Sequence, residues 1–274
     1  MAAVWPRYVA PMSQLQLALL LAVLCVAALA LFGCRPYVEE FKSPLRRLVA
    51  ALLFVGVLTV AVFLPVASYG DIGELAASDL SVPLMLVGHV ILVAFLVVWW
   101  WLRGDATFAE FLHLSTDEIG PRIVQGIATG FSGWVMTILV MISAVTLVGS
   151  RGGAADSNEV PVVMLWIARL PVLHKLAIVA VAMTVEEAFF RGFLQPRVGW
   201  VGSSAMFALG HFSYGMPFMI VGVLTISLVI GRTFARRDDL LPCIVAHGVF
   251  DGVQIFVVLP YAADLLQQSI PIAG

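Results

Sequence analysis

Eight long apolar runs dominate this chain and limit the structures that it can form. A helix needs about 20 mostly apolar residues to cross the hydrocarbon core of a bilayer. The candidate segments are 15–33, 47–67, 84–102, 123–149, 172–196, 200–213, 215–231 and 240–260. The sequence therefore predicts an all-α polytopic membrane protein with about eight transmembrane helices, built as a single integral membrane domain over residues 1–274.

The composition excludes the other common classes of protein. Hydrophobic residues make up 61% of the chain and charged residues 12%, against roughly 45–50% and roughly 25% in soluble domains. Such a chain is too apolar for a soluble core, a disordered segment or a nucleic-acid-binding protein. The three cysteines have neither metal-binding nor disulfide-framework spacing. We therefore expect a multi-pass protein of the cell's inner (plasma) membrane, with the lipid bilayer as its surroundings.

Ionisable residues occur inside some of these apolar segments, where a charge is costly. By default such residues face the interior of a helix bundle, pair with each other and mark a functional site. They are Glu186, Glu187 and Arg191 in the fifth segment, His211 in the sixth, and His247 and Asp251 in the eighth. His89, His113 and His174 fit no recognisable pattern, and we interpret them as structural or interfacial.

The spacing of these residues predicts their local partners. Residues four apart lie on the same face of a helix, which pairs Glu187 with Arg191 and places His247 and Asp251 on one face. Glu186 is rotated by about 100° from Glu187 and is not the natural partner of the arginine. We therefore expect Arg191 to neutralise Glu187 and Glu186 to remain available for chemistry.

The depth of these groups in the membrane supports a shared site. At about 1.5 Å per residue, Glu186 lies about 15 Å from its helix end, His211 about 18 Å, His247 about 10 Å and Asp251 about 16 Å. Three helices thus place ionisable groups at similar depth. A glutamate near two histidines can activate water for amide hydrolysis, and a further donor can stabilise the oxyanion.

Three short motifs give the sequence a family resemblance. They are Glu186–Arg191 (Glu-Glu-Ala-Phe-Phe-Arg), Phe207–His211 (Phe-Ala-Leu-Gly-His) and His247–Asp251 (His-Gly-Val-Phe-Asp). In this order they resemble the Glu-Glu-x-x-x-Arg, Phe-x-x-x-His and His-x-x-x-Asn/Asp motifs of the CAAX prenyl protease and bacteriocin-processing (Abi) family. The resemblance covers residues 160–260, which we expect to form the catalytic core, while residues 1–150 supply additional membrane helices.

The resemblance implies a glutamate-type intramembrane endopeptidase that cuts a membrane-associated protein or peptide near its C-terminus or leader, without a cofactor. It implies that Glu186 is the general base on the catalytic water, assisted by His211, and that His247 and Asp251 form the oxyanion site. Glu187, Arg191 and Phe207 are implied as supporting residues. The prenyl-processing branch usually has Asn where this chain has Asp251. An ionised Asp cannot donate a hydrogen bond, so Asp251 either is protonated or orients His247.

Two alternatives remain open at the level of sequence. Glu186, His211 and His247 have suitable side chains for a zinc ion, so the same protease in a zinc-dependent form is one alternative. The other is a non-enzymatic transporter or bacteriocin-immunity protein that uses the polar cluster as a proton or peptide site. The sequence does not indicate an oligomeric state.

Overall fold

The structure is a computed structural model that describes residues 12–31, 40–69, 71, 75–104, 106–115, 117–150 and 162–269. Its regular elements are helical: α1 (Gln14–Leu31), α2 (Pro44–Leu58), α3 (Val82–Arg103), α4 (Phe108–Phe111), α5 (Ile119–Ser150), α6 (Val162–Arg169), α7 (Val172–Glu187), α8 (Gln195–Leu209), α9 (Pro217–Arg237), α10 (Leu240–Val253) and α11 (Leu259–Ser269). The predicted segment 15–33 includes residues 32 and 33, which lie outside the described residues.

Five helices among the described residues are long and apolar enough to cross a membrane. They are Pro44–Ala67, Val82–Arg103, Ile119–Leu147, Phe218–Arg237 and Leu240–Leu265. A sixth span results if Val162–Arg169 and Val172–Tyr214, which meet at a bend of 118°, are counted together, and Gln14–Ala30 is a shorter apolar helix. The described residues are therefore all-helical, and the chain is a multi-pass integral membrane protein.

The number of spans differs from the eight apolar segments for two structural reasons. The predicted segments 172–196 and 200–213 belong to one helical run, interrupted at Gly199, where φ is 76° and ψ is 165°. Glycine adopts this backbone conformation readily because it lacks a Cβ. The first predicted segment corresponds to the shorter helix α1. The count is therefore five, or six with the bent pair.

Three helices in the described part of the chain continue through a π-helical turn. These turns are Thr59–Phe63 after α2, Ala188–Leu194 after α7 and Gln254–Val258 after α10. The second begins directly after Glu187, and the third begins three residues after Asp251. π-Helical turns are rare and frequently occur at functional sites. Two of the three lie beside the polar residues that the sequence singled out.

Glycines allow α5 to approach α10 closely. A Cβ at Gly126 would lie 2.8 Å from the Pro242 carbonyl oxygen, and one at Gly130 would lie 2.7 Å from that of Ala246. Small residues at helix interfaces let membrane helices pack with their backbones close together. Ala246 immediately precedes His247, so this contact fixes the backbone that carries the histidine.

An aromatic cluster joins α3 to the π-helical turn after α7. The ring of Phe193 lies 4.9 Å from those of both Phe95 and Trp99, and Phe189 lies 5.7 Å from Phe95. Trp99 is fully buried, as are Phe189 and Phe193. Aromatic pairs at such distances contribute about 0.5–1.5 kcal/mol each beyond their burial. These ring contacts set the position of α3 along the axis of α7.

Candidate active site

Glu187 is the fully buried member of the glutamate pair at the end of α7. Its side chain has no exposed area, and its Oε1 lies 3.0 Å from Arg191 Nη1 and 2.8 Å from His247 Nδ1. The contact with Arg191 is the one that the four-residue spacing in the sequence predicts. The contact with His247, which lies on α10, was not predicted. One oxygen of Glu187 thus serves as the common partner of a cation and a histidine.

Arg191 is fixed from two further sides. Its Nη2 donates to Ser227 Oγ at 2.9 Å, and its guanidinium lies 4.8 Å from the centre of the Phe207 ring. The arginine side chain is only 1% exposed. A buried charge is tolerated when it is paired and hydrogen-bonded. Arg191 therefore connects α7, α8 and α9 around Glu187, and the motif residue Phe207 packs against it.

Glu186 is the accessible member of the pair. Its side chain is 17% exposed, compared with 0% for Glu187. Glu186 Oε1 lies 3.0 Å from His89 Nε2, and Glu186 Oε2 lies 3.9 Å from His247 Nε2. The latter separation exceeds a direct hydrogen bond but suits a bridging water molecule. Glu186 thus has one oxygen held by a histidine and one directed towards a second histidine.

His247 lies between three carboxylates. Its Nδ1 faces Glu187 Oε1 at 2.8 Å, and its Nε2 faces Asp251 Oδ2 at 3.2 Å. Ionised carboxylate oxygens only accept hydrogen bonds, so when Glu187 and Asp251 are both ionised each ring nitrogen of His247 donates to one of them. Nε2 also lies near Glu186. The contact with Nε2 places Asp251 where it can orient His247.

His211 follows α8 in a short turn rather than standing on a helix. Its Nδ1 lies 2.9 Å from the Phe207 carbonyl oxygen, to which it donates. The ring lies 4.8 Å from the Phe207 ring and is stacked on Tyr214 at 6.1 Å. His211 lies within electrostatic reach of Glu186. The Phe207 ring, which is 5.9 Å from that of His247, places both histidines beside the glutamates.

A comparison with known families gives a match in the second half of the chain. Residues 168–253 match a family model described as Type II CAAX prenyl endopeptidase Rce1-like. This Rce1-like segment is similar to a family of CAAX-type endopeptidases, and the similarity suggests protease activity. No curated protein and no solved structure matches the chain.

The Rce1-like segment contains all seven residues that the sequence motifs singled out. Four of them, Glu186, Glu187, His247 and Asp251, form one chain of contacts. Arg191 and Phe207 join this chain through Glu187 and through ring contacts. His211 lies beside this chain of contacts and is held there by the carbonyl oxygen and the ring of Phe207. The resemblance to the CAAX prenyl protease family is thus confirmed by an independent comparison.

The residues considered for zinc do not form a metal site. Within the described part of the chain, no group of three or more His, Cys, Asp or Glu side chains is arranged to hold a metal ion. Glu186, His211 and His247 fail for an identifiable reason, because His247 directs both ring nitrogens to carboxylates. A histidine needs a free ring nitrogen to ligate zinc.

His89 is a member of the cluster that sequence reasoning missed. We interpreted it as structural or interfacial, but it lies 3.0 Å from Glu186. The helix that carries it, α3, lies outside the Rce1-like segment, so no motif included it. A signal was nevertheless present in the sequence. His89 is an ionisable residue within an apolar span, which is the same criterion that singled out His211 and His247.

Proposed function

We propose that this protein is an intramembrane endopeptidase that hydrolyses a peptide bond of a membrane-associated protein or peptide, with Glu186 activating the attacking water. The observation that carries the proposal is the state of the Glu186 carboxylate. It is accessible, one of its oxygens is held by His89, and the other lies 3.9 Å from His247. It also belongs to the segment that matches a CAAX-type endopeptidase family.

The two glutamates have different roles in this proposal. Glu187 is enclosed and already shares its Oε1 between Arg191 and His247, so it holds the site together. Glu186 has no cation of this kind on its own helix and remains accessible. General-base catalysis needs a carboxylate within hydrogen-bond reach of the water that it deprotonates. Glu186 Oε2 meets this requirement because a water molecule bound there also reaches His247.

The reaction proceeds in two proton transfers. Glu186 takes a proton from water as the water oxygen bonds to the carbonyl carbon of the substrate, which gives a tetrahedral oxyanion. The carbon–nitrogen bond then breaks, and the departing nitrogen takes the proton from Glu186. The products are a new carboxyl terminus and a free amine, and the glutamate is returned to its ionised form. No covalent enzyme intermediate is needed.

The two motif histidines have different roles in this proposal. His247 Nε2 lies 3.2 Å from Asp251 Oδ2 and 3.9 Å from Glu186 Oε2, so its proton can be shared between Asp251 and an oxyanion that forms beside Glu186. His211 donates its Nδ1 proton to the Phe207 carbonyl oxygen, so Nε2 of the neutral ring is an acceptor that can hold the catalytic water. A preorganised donor to the oxyanion contributes about 2.7–4 kcal/mol to lowering the barrier. We propose that residues 160–260 carry this machinery, with helices from residues 1–150 packed around it.

The test compares variants of the purified protein in lipid nanodiscs. The first probe is an internally quenched peptide with a farnesylated cysteine three residues from its C-terminus, alongside the same peptide without farnesyl. Further substrates come from mapping protein C-termini in the membrane fraction of a deletion strain and its parent. Glu186→Gln is expected to lower turnover at least about 100-fold, the usual contribution of a general base.

Glu110→Gln is the matched control for this experiment. Glu110 is an exposed glutamate whose side chain accepts hydrogen bonds from Thr107 in a capping box, a role that Gln also fills. This variant is expected to cleave at the wild-type rate. Wild-type turnover by Glu186→Gln would overturn the glutamate mechanism. Loss of wild-type activity in a chelator would favour the zinc-dependent form, and an absence of new C-termini in the parent strain would favour a transporter or immunity protein.

A further inference from the structure

The side chain of His89 is unusual for its position on α3. The helix runs from Val82 to Arg103 and has apolar residues for one turn on both sides of the histidine. A polar group in a membrane span is costly unless it has a partner. His89 is 18% exposed on its side chain and directs its Nε2 to Glu186. The structure therefore gives this residue a specific neighbour rather than a lipid-facing or interfacial position.

The packing between α3 and α7 holds the two residues in register. Met85 and Met183 lie about one turn before His89 and Glu186 and belong to the same apolar cluster. On the other side, Phe95 contacts Phe189 and Phe193 from the π-helical turn that follows Glu187. Apolar contacts therefore fix the two helices both before and after the His89–Glu186 pair. The contact is part of a packed interface between helices.

The pair divides the two oxygens of Glu186 between different tasks. Since an ionised carboxylate only accepts hydrogen bonds, His89 donates its Nε2 proton to Oε1. A carboxylate with one oxygen fixed in this way cannot rotate about its last torsion without breaking the bond. Oε2 is then held towards His247. A water molecule on Glu186 is directed to the side where His247 and the motif residues lie.

We infer that His89 is a positioning residue for the proposed reaction: by binding Oε1 it directs Oε2 of Glu186 to the attacking water. The inference rests on the proposed function and adds to it a residue from outside the family-matched segment. His89 keeps its hydrogen bond when Oε2 takes the proton from water, because the proton and the histidine use different oxygens. The glutamate therefore returns the proton to the leaving nitrogen without having turned.

Three substitutions separate positioning from packing. His89→Leu removes the donor and keeps an apolar side chain in the span. His89→Gln places an amide N–H where Nε2 lies, whereas the amide of His89→Asn is too short to reach Glu186. We expect His89→Leu and His89→Asn to lower kcat by about 10- to 100-fold, as for a lost hydrogen bond to a charged group. KM should stay unchanged, and His89→Gln should recover most of the rate.

The controls separate this inference from the proposed function. His174→Leu removes an exposed histidine from the start of α7 and should leave the rate unchanged. Wild-type turnover by Glu186→Gln would overturn the proposed function itself. If Glu186→Gln is inactive while His89→Leu and His89→Asn cleave normally, the proposed function stands and the positioning role is wrong. Equal losses in the Gln and Asn variants would also overturn it, because they indicate packing alone.

A labelling experiment tests the contact without relying on activity. Dicyclohexylcarbodiimide, an apolar reagent, modifies membrane carboxyl groups, and the modified fraction of Glu186 can be measured by mass spectrometry of its peptide. A hydrogen bond from His89 shields Oε1 and keeps the carboxylate ordered, so labelling should increase several-fold in His89→Leu and His89→Asn. It should remain near the wild-type level in His89→Gln. Equal labelling of all four proteins would overturn the inference.

Discussion

Replacing Arg191 with methionine tests the interpretation that this arginine neutralises Glu187. Methionine replaces the unbranched stem of arginine as far as about Nε, but it removes the guanidinium group and its charge. The loss includes the ion pair to Glu187 at 3.0 Å and the hydrogen bond to Ser227 Oγ at 2.9 Å. Glu187, with no exposed area, would keep only His247 as a partner.

The expected loss of stability follows from the burial of both Arg191 and Glu187. Removing one member of a buried ion pair typically costs about 3–5 kcal/mol, mainly because the other charge is left without compensation. We expect this loss in the free energy of unfolding of Arg191→Met. The double variant Glu187→Gln with Arg191→Met removes both members of this ion pair. It should therefore lose less stability than the sum of the two single variants, with a coupling of about 0.5–3 kcal/mol.

Unfolding by SDS in mixed detergent micelles, followed by tryptophan fluorescence, measures these free energies. Arg236→Met, at an exposed arginine in the last turn of α9, is the matched control and should change stability by less than about 0.5 kcal/mol. A cost below about 1 kcal/mol for Arg191→Met would refute the reasoning. Strict additivity in the double variant would refute it as well, because the two side chains would then not depend on each other.

Two further predictions concern glycines at close backbone contacts. In Gly210→Ala the new Cβ would lie 2.8 Å from the Ala61 carbonyl oxygen. The turn before His211 must then shift, so kcat should fall at least about 10-fold. An unchanged kcat would show that the turn tolerates the shift. In Gly130→Ala the new Cβ would lie 2.7 Å from the Ala246 carbonyl oxygen, and we expect a loss of about 1–3 kcal/mol in SDS unfolding. Gly56→Ala is the control, because no atom lies within 4 Å of the new Cβ; its free energy of unfolding should be unchanged or higher by up to about 1 kcal/mol from helix propensity. Equal effects of Gly130→Ala and Gly56→Ala would contradict the packing argument.

Local helix geometry explains why some contacts of the site were predictable from the sequence. Glu187 with Arg191 and His247 with Asp251 are pairs four residues apart, and both pairs are in contact in the structure. Such contacts depend only on the rise and rotation of a helix. The expectation that Glu186 is not the partner of the arginine has the same origin.

Contacts between helices were less predictable. We expected Arg191 to neutralise Glu187, but not that His247 would share the same oxygen. The partnership of His89 with Glu186 was missed for the same reason, since their positions are 97 residues apart. Which faces of two distant helices meet depends on packing, here on the aromatic cluster and on glycines that permit close approach.

The sequence by itself determined that the chain lies in a membrane, that it is helical and which residues make up most of the site. Long apolar runs require a membrane, and the cost of burying charge makes each ionisable residue within them informative. Only the tertiary structure decided which glutamate is enclosed and which is accessible, and it added His89 to the site. Adjacent residues have similar chemistry but face different helices, so their roles are assigned only when the helices pack.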